Sequence, residues 1–410
     1  MKSALKSIAK AAGIIFILFI FLIAALILFG VIKYGTEYVG RVLAWRESSY
    51  NVYMDGFPSK TLQASEQPFY FDKAIDEERV VPLFNRILST DEFATFLEEN
   101  ETQAFLVIED DAIVYEKYLN GFHPDSLLTS YSVAKSFTSA LIGAAIADGY
   151  INGVDDPITE YLPELAERDP QFDDITIRHL LLMAAGIDFQ EMRLGIFNGD
   201  DPLSSYYPDQ RKAALEFTDI IDPPGEYFRY NKYYPQLLGL IIERSTGMSV
   251  TDYMQQALWD PLGMQYDGSW SIDSEESGFE KMEAGLNARA VDFAKFGRLY
   301  LEDGSWNGEQ VLPSDWIEDS TSVDWSTYNE SYYPDEFGQL IYDELNGYYK
   351  YMWYGYFRGE DGFDFAAEGD RGQIIYVSPH KNLIIIRNGT DYGIPFSQWV
   401  KSLYEFASEF

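Results

Sequence analysis

The residues best suited to chemistry lie in the segment Thr129-Ser130-Tyr131-Ser132-Val133-Ala134-Lys135-Ser136, just before an apolar helical run. Ser132 and Lys135 are three residues apart, so on a helix their side chains lie on one face within reach of each other. A serine hydroxyl is a weak nucleophile at neutral pH, and a lysine whose pKa is lowered by burial can accept its proton. A helix start also brings backbone N–H groups and the positive dipole end close to a developing oxyanion.

By itself a Ser-x-x-Lys pattern is weak, because it occurs by chance in most long chains. The competing interpretation is a serine near a helix N-terminus followed by a solvated lysine. The other polar candidates are no stronger: His123, His179 and His380 are scattered and cysteine is absent, so we expect no metal site and no cofactor. The aromatic segment 348–354 fits either a cleft wall or a core strand.

The elements that must position Ser132 and Lys135 are predicted from the surrounding patterns. Two β-rich pairs, 104–108 with 112–115 and 373–377 with 383–386, lie near opposite ends of the body. Between them the patterns are mostly helical. The predicted helices are 137–148, 233–245, 250–258 and 287–301, with 396–406 at the C-terminus. A sheet built from both chain ends, with a helical insertion between them, predicts an α+β fold of two lobes that share a cleft.

Several ordered blocks resemble the serine β-lactamase-related hydrolases, which include class C β-lactamases, D-alanyl-D-alanine carboxypeptidases, esterases and 6-aminohexanoate-dimer hydrolase. The Ser-x-x-Lys motif is the acylating signature of penicillin-recognising enzymes. The resemblance covers about residues 80 to 405, and implies the β-lactamase/transpeptidase-like fold. The blocks are Ser132–Ile151, Val154–Ile158, Tyr161–Leu165, Ile175–Met183 with Gly186, Phe228–Gly247 and Leu286–Tyr300.

The family's second motif, Tyr-x-Asn, implies a catalytic tyrosine at Tyr230, seven residues before Leu237. Such a tyrosine shuttles protons between nucleophile, leaving group and attacking water. The chain departs from the motif at the next positions: Asn231 is one place early, and Lys232 stands where the asparagine is expected. Lys232 either raises the local positive potential, which would help to lower the pKa of Lys135, or points to solvent. Both positions are candidate substrate-binding residues.

The third motif, Lys-Thr-Gly or His-x-Gly on a cleft strand, is best matched by Gly369-Asp370-Arg371-Gly372-Gln373. Gly372 suits the close approach of a substrate to an edge strand. The resemblance implies that the backbone N–H groups of Gln373 and Ser132 form the oxyanion hole. Asp370 replaces the usual Lys or His, which removes a cation that often binds a substrate carboxylate, although Arg371 is a candidate to replace it. The substrate is therefore expected to lack the carboxylate of penicillins.

An apolar segment near the N-terminus predicts membrane attachment. The 22 uncharged residues 11–32 span roughly 33 Å as a helix, at about 1.5 Å per residue, which is enough for the hydrocarbon core. A cleaved signal peptide, the alternative, normally has an apolar region of only about 7–15 residues. Three basic residues flank the segment on each side: Lys2, Lys6 and Lys10 before it, and Lys33, Arg41 and Arg46 after it. The positive-inside rule therefore gives only a weak indication of its orientation.

Charge separates this anchor from the rest of the chain. The formal net charge is −36, from 30 basic and 66 acidic residues. Six of the basic residues but only one acidic residue lie in 1–46, which leaves −41 on the remainder. A body with this negative charge is not expected to bind the phosphate backbone of nucleic acids. We expect a cytoplasmic N-terminus (1–10), a transmembrane helix (11–32), a neck (33–79) that holds the body off the membrane, and an extracytoplasmic hydrolase domain (80–410).

The sequence thus predicts a membrane-anchored serine hydrolase acting on a small or short-peptide ester or amide. Ser132 is the expected nucleophile, Lys135 its base and Tyr230 the proton relay. Two alternatives remain open: a D-alanyl-D-alanine peptidase or β-lactamase, and a non-catalytic binding or sensor protein that keeps the fold. Segment 187–210, with Gly195 and Asn198-Gly199, is the expected variable loop over the cleft.

Overall fold

The structure, a computed structural model, describes residues 2–45, 49–190, 197, 199–323, 328–359 and 362–410, without the side chains of residues 2–6 and 9. Arg46 and, in the predicted loop, Gly195 and Asn198 lie outside the described residues. The helices are α1 (Lys2–Tyr34), α2 (Thr36–Trp45), α3 (Val52–Asp55), α4 (Glu77–Leu88), α5 (Phe93–Glu99), α6 (Val133–Ala147), α7 (Pro163–Arg168), α8 (Ile177–Leu181), α9 (Asp200–Tyr206), α10 (Gln210–Glu216), α11 (Tyr233–Thr246), α12 (Val250–Met254), α13 (Ala290–Leu301), α14 (Ser314–Thr321), α15 (Glu336–Gln339) and α16 (Phe396–Glu409).

Two main sheets organise the body. The strands are β1 (Ser59–Leu62), β2 (Asp72–Lys73), β3 (Thr102–Glu109), β4 (Ala112–Tyr118), β5 (Leu128–Thr129), β6 (Gly268–Ser271), β7 (Leu286–Ala288), β8 (Ser305–Trp306), β9 (Glu309–Gln310), β10 (Gly347–Lys350), β11 (Trp353–Phe357), β12 (Phe363–Gly369), β13 (Gln373–Ser378) and β14 (Leu383–Gly389). The large sheet has the order β10-β11-β12-β13-β14-β3-β4-β2, and the small sheet β1-β6-β7-β5. Strands β8 and β9 form a separate pair.

The large sheet joins both ends of the body, as the sequence predicts. Strand β14 pairs antiparallel with both β13 and β3, with Ile385 opposite Val107. The β3–β4 hairpin turns at Asp110 and Asp111, whose φ angles of 50° and 62° suit a tight turn. One prediction is wrong at its start: residues 287 and 288 of the expected helix 287–301 belong to β7, and the helix begins only at Ala290.

Helices cover the large sheet and build the second lobe. Helix α13 lies so close to the sheet that a Cβ on Gly297 would be 3.0 Å from Ile375 and Ile384. Helix α6, with residues 133–145 buried, runs between the sheet and α11. An apolar helix buried on all sides is typical of a domain core. This location puts the N-terminus of α6 where the two lobes meet.

The predicted neck is folded onto the body. Strand β1 pairs with β6, and α2 and α3 contribute to an apolar cluster separate from the main core. We call it the neck cluster. It consists of Tyr34, Tyr38, Val39, Val42, Val52, Tyr53, Phe57, Tyr131, Phe197, Leu203, Tyr206 and Ala284. Residues 33–45 and 49–79, the described part of the neck, therefore contain segments packed onto the body.

Helix α1 includes the predicted apolar segment and extends beyond it on both sides. Its part Lys10–Tyr34 is long and apolar enough to cross a membrane, a property that membrane anchors share with signal sequences. Residues 11–25 are exposed, whereas Gly30 and Tyr34 are buried against the neck cluster.

Candidate active site

Ser132 lies at the N-terminal end of α6, next to a strained residue. Ser130 N–H donates to Leu286 O (2.9 Å), and the Ser132 carbonyl accepts the Lys135 N–H (3.0 Å). Tyr131 has a φ of 44°, a left-handed conformation that is costly for a bulky side chain. The strained residue turns the chain from the strand into the helix, so Ser132 occupies the first position, where backbone N–H groups are free of helical partners.

The Lys135 ammonium is buried and directed at Ser132. Its Nζ donates to Ser132 Oγ (2.8 Å) and to the carbonyl oxygen of Glu283 (2.8 Å), and the residue is 1% exposed. Burial lowers the pKa of Lys135, and the nearby positive charge of Lys232 lowers it further, whereas Tyr230 and Glu283 act in the opposite direction. A lysine with a lowered pKa is available as a neutral base, so this contact suits removal of the Ser132 proton.

Tyr230 lies in the loop before α11 and completes this group. Lys135 Nζ is 5.0 Å from its ring centroid, and the electrostatic interaction with the phenol raises the pKa of the lysine against the effect of burial. The ring packs against Phe337 (5.3 Å between centroids) and Tyr349 (6.3 Å), which limits its rotation. The structure thus brings together the three residues that the sequence singled out.

Asn231 and Lys232 face different surroundings. Asn231 is fully buried, where its Nδ2 donates to Ile187 O (3.1 Å) and its Oδ1 accepts the Tyr233 N–H (2.9 Å). These bonds place the amide within the fold rather than in a substrate site. Lys232 pairs with Asp201 of α9 and donates to Ser205 Oγ (3.2 Å). Burial alone would lower the pKa of Lys232, but Asp201 outweighs it and the pKa is raised.

Gly369 closely approaches the nucleophile, whereas Gly372, the glycine predicted to allow the close approach of a substrate, lies against Arg387. A Cβ on Gly369 would lie 2.5 Å from Ser130 O and 3.0 Å from Ser132 N. At Gly372, whose φ is 76°, a Cβ would instead meet Arg387 Nη1 at 1.9 Å. The space beside Gly372 is therefore occupied by the Arg387 side chain. The residue that closely approaches Ser132 is Gly369, the last residue of β12.

Gln373 lies behind Gly369 on the neighbouring strand. It pairs with Gly369, is 1% exposed, and its Nε2 donates to Gly389 O (2.7 Å) and Asp370 O (3.2 Å). The side chain therefore holds the 370–372 turn against β14. Gln373 is thus the strand partner of Gly369, the residue that closely approaches Ser132, and its oxyanion role stays a prediction.

Asp370 and Arg371 form the turn between β12 and β13. Asp370 is exposed, whereas Arg371 has a φ of 61° and donates from Nη1 to Thr390 O (2.9 Å). The two side chains approach to 4.0 Å, and Arg371 lies within reach of Tyr131. Arg371 is thus held at the edge of the site by contacts within the protein.

Three buried charged residues of this region, Lys281, Glu283 and Glu368, were not predicted. Lys281 and Glu283 are at most 1% exposed and form an ion pair of 2.8 Å, while the Glu283 carbonyl receives the Lys135 ammonium. Glu368, the neighbour of Gly369, accepts a hydrogen bond from the Tyr356 hydroxyl. Burial raises the pKa of Glu368 to about 8, although the Tyr356 bond lowers it. Charged residue types normally indicate exposure, so no sequence signal marked these positions.

Comparisons with known proteins match this architecture. The model of the Beta-lactamase family matches residues 94–388. A 6-aminohexanoate-dimer hydrolase from Paenarthrobacter ureafaciens is 28% identical over 330 residues, which cover 77% of this chain and 79% of that protein. Esterase EstB from Burkholderia gladioli is 29% identical over 161 residues, 37% of this chain and 40% of the esterase.

A solved structure confirms the predicted fold. The Bacillus anthracis structure named "Putative 6-aminohexanoate-dimer hydrolase" has a TM-score of 0.73 and 24% identity, covering 88% of this chain and 94% of that chain. The similarity extends through both lobes and most of the chain. The fold is therefore the two-lobed β-lactamase/transpeptidase-like arrangement expected from the sequence.

Proposed function

The chain belongs to the Beta-lactamase family, and from this membership we propose that it is a membrane-anchored serine hydrolase that cleaves an ester or amide through an acyl-enzyme. The observation that carries the proposal is the 2.8 Å contact between Lys135 Nζ and Ser132 Oγ, made by a buried lysine of lowered pKa. A solvated lysine, the competing interpretation, would have neither the burial nor the contact. The same contact disfavours a non-catalytic binding protein.

Acylation begins when neutral Lys135 accepts the Ser132 hydroxyl proton as Oγ attacks the substrate carbonyl carbon. The tetrahedral intermediate collapses by breaking the bond to the leaving oxygen or nitrogen. Tyr230, beside Lys135, passes the proton from the lysine to that leaving group. The products of this half-reaction are an acyl ester on Ser132 and a free alcohol or amine.

Deacylation repeats the proton transfers in reverse order. Water attacks the acyl ester, and the Tyr230–Lys135 pair accepts one of its protons. Collapse of the second intermediate breaks the bond to Ser132 Oγ, which regains its proton, and releases a carboxylic acid. One water is consumed for each ester or amide cleaved, and the pair ends in its starting state.

Two backbone N–H groups stabilise the oxyanion in this proposal. The first is that of Ser132, at the start of α6. We assign the second to Asp370 instead of Gln373, because Asp370 directly follows Gly369, the residue in close contact with Ser132. The Asp370 side chain is exposed, so its backbone rather than its carboxylate contributes.

Small esters or amides fit this site better than β-lactams do. Asn231 is committed to the fold, Lys232 is paired with Asp201, and Arg371 donates to Thr390 O. These contacts within the protein compete with any contact that the three side chains would make to the amide and carboxylate of a penicillin. The named activities of two relatives, an amide hydrolase and an esterase, agree with this preference.

Membrane anchoring is part of the proposal. It is supported by the length of the apolar segment and by the burial of Gly30 and Tyr34 against the body. A signal sequence is removed from the mature protein, so residues of a signal sequence would not be expected to pack into the neck cluster of the folded body. The N-terminus is placed in the cytoplasm and the body outside it; a protease added from outside intact cells should therefore clip the body.

Activity-based labelling tests the enzymatic proposal. Wild-type full-length protein should react with a fluorophosphonate and hydrolyse p-nitrophenyl acetate, and Ser132→Ala should do neither. Ser136→Ala, one turn along α6, is the matched control and should retain both reactions, because its hydroxyl donates to Met352 O at 2.6 Å, away from Lys135. Labelling by a fluorescent penicillin with no ester turnover would instead favour a penicillin-recognising peptidase.

A further inference from the structure

The end of helix α1 is packed against Phe197, which precedes α9 in the chain. A Cβ on Gly30 would lie 2.9 Å from the Phe197 ring and 3.0 Å from Val39. The Phe197 carbonyl also accepts a hydrogen bond from the Tyr38 hydroxyl (3.2 Å), and Phe197 is 2% exposed. The apolar helix is therefore fixed to the body at a defined point instead of being joined to it by a flexible tether.

The position of the Gly30–Phe197 contact relative to a bilayer follows from the length of the apolar helix. A span of the hydrocarbon core needs about 20 residues. Residues 11–25 are exposed and too few for this, so the span has to include the next turns of α1. Counted from Ala11, the span ends near Gly30. Phe197 therefore contacts α1 at the boundary of the bilayer.

The neck cluster connects this boundary to the nucleophile. At one end Tyr34 packs against Tyr38, with 5.3 Å between ring centroids. At the other end Tyr53 packs against Tyr131 (5.4 Å), whose hydroxyl donates to Tyr50 O (2.7 Å). Since Tyr131 directly precedes Ser132, the same apolar cluster has one end at the membrane boundary and the other at the reacting serine.

Helix α9 makes a second connection. Its Leu203 and Tyr206 belong to the neck cluster, and its Asp201 and Ser205 contact Lys232 beside the site. One short helix thus contributes to the neck cluster and also contacts Lys232 beside the site. Two separate segments, the neck and α9, thus connect the end of α1 to residues beside the nucleophile.

We propose that the active site takes its substrate from the membrane: a neutral amphiphile whose ester or amide carbonyl reaches Ser132 while its acyl chain remains in the bilayer. This inference rests on the proposed function and names its substrate class. A substrate in the same bilayer is presented at a high effective concentration, because α1 confines enzyme and substrate to one surface. An anionic head group is disfavoured by the net charge of −41 outside residues 1–46.

The test uses the full chain in phosphatidylcholine nanodiscs. Its probes are p-nitrophenyl oleate, which stays in the bilayer, and p-nitrophenyl acetate, which is soluble. Oleate in the same disc should be cleaved at least ~10-fold faster than oleate supplied in separate vesicles. Acetate should be cleaved at one rate with or without added vesicles.

Two glycines of α1 provide matched variants. Gly30→Val inserts a side chain against Phe197 and should slow cleavage of same-disc oleate by about 10-fold. It should leave cleavage of acetate unchanged, because Gly30 lies outside the catalytic group. Gly13→Val is the control, since a Cβ there meets nothing within 4 Å, and should behave like wild type with both esters.

Equal cleavage of oleate from both sources, with acetate cleaved normally, would overturn the inference and leave the proposed function standing. Equal slowing of both esters by Gly30→Val would also overturn it, because the contact would then act on the fold. If neither ester is cleaved in a Ser132-dependent way, the proposed function fails and the inference fails with it.

Discussion

A methyl group on Gly369 would lie 3.0 Å from the backbone nitrogen of Ser132. It would also lie 2.5 Å from the carbonyl oxygen of Ser130. The φ of Gly369 is −141°, which any residue can adopt, so sterics alone require glycine. The end of β12 and the start of α6 are thus in contact through their backbones, the relationship that an oxyanion hole with one donor from each element requires.

Gly369→Ala should lower kcat/KM for p-nitrophenyl acetate by about 100-fold, because the methyl group pushes β12 away from Ser132 and one oxyanion donor is lost. The measurement is steady-state kinetics, with thermal unfolding to show that the fold is retained. Gly153→Ala is the control, since a Cβ there meets nothing within 4 Å, and should have wild-type kinetics. Wild-type kinetics in Gly369→Ala would contradict this placement of the oxyanion hole.

Lys135→Met removes the base while keeping a side chain of similar length. Acylation should slow by a factor on the order of 10²–10⁴, the usual contribution of a general base. Stopped-flow measurement of fluorophosphonate labelling reports this step directly. Lys117→Met, at a half-buried position of β4 where the lysine pairs with Glu77, should label at the wild-type rate. Equal labelling rates in both variants would assign the proton transfer to another group.

Lys232→Met should shift the pH dependence of kcat/KM. Activity requires neutral Lys135, so it rises with pH through the lowered pKa of that lysine. The positive charge of Lys232 contributes to the lowering. Loss of this charge, together with the Asp201 carboxylate that it leaves unpaired, raises the pKa of Lys135. The acidic limb of the pH–activity profile therefore moves to higher pH. Lys232→Arg keeps the charge and should leave the limb in place; an equal shift in both variants would rule out this electrostatic cause.

Local patterns predicted much of the fold. Runs of β-branched residues located β3, β4, β13 and β14, and helical periodicity located α6, α11 and α16. The spacing of Ser132, Lys135 and Tyr230 also identified residues that lie together. Helical geometry fixes the first pair, and the resemblance to a family supplied the third residue.

The rest depends on contacts between distant parts of the chain. Gly369 and Gly372 both lie in one short stretch, and only the packing of α6 against β12 decides which of them meets Ser132. Lys281 and Glu283 are charged, yet each compensates the other's burial. The neck has an unremarkable sequence, because its role arises from aromatic contacts with Tyr131, far along the chain.

Glu368 should make stability depend on pH. Its pKa is raised from 4.5 to about 8 in the folded protein, so between these values the native state binds more protons than the unfolded state and stability falls as pH rises. At ~1.4 kcal/mol per pKa unit, the loss has an upper bound of about 5 kcal/mol. Below pH 4.5 the carboxyl is protonated in both states and the effect vanishes.

Glu368→Gln replaces the carboxyl with a neutral group, so the melting temperature should fall less between pH 5 and 8 than in the wild type. The variant should also exceed wild-type stability at pH 8, where the buried carboxylate of the wild type is costly. Glu309→Gln, exposed on β9, is the control and should retain the wild-type pH dependence. If the Glu368→Gln profile coincides with that of the wild type, Glu368 does not titrate between pH 5 and 8.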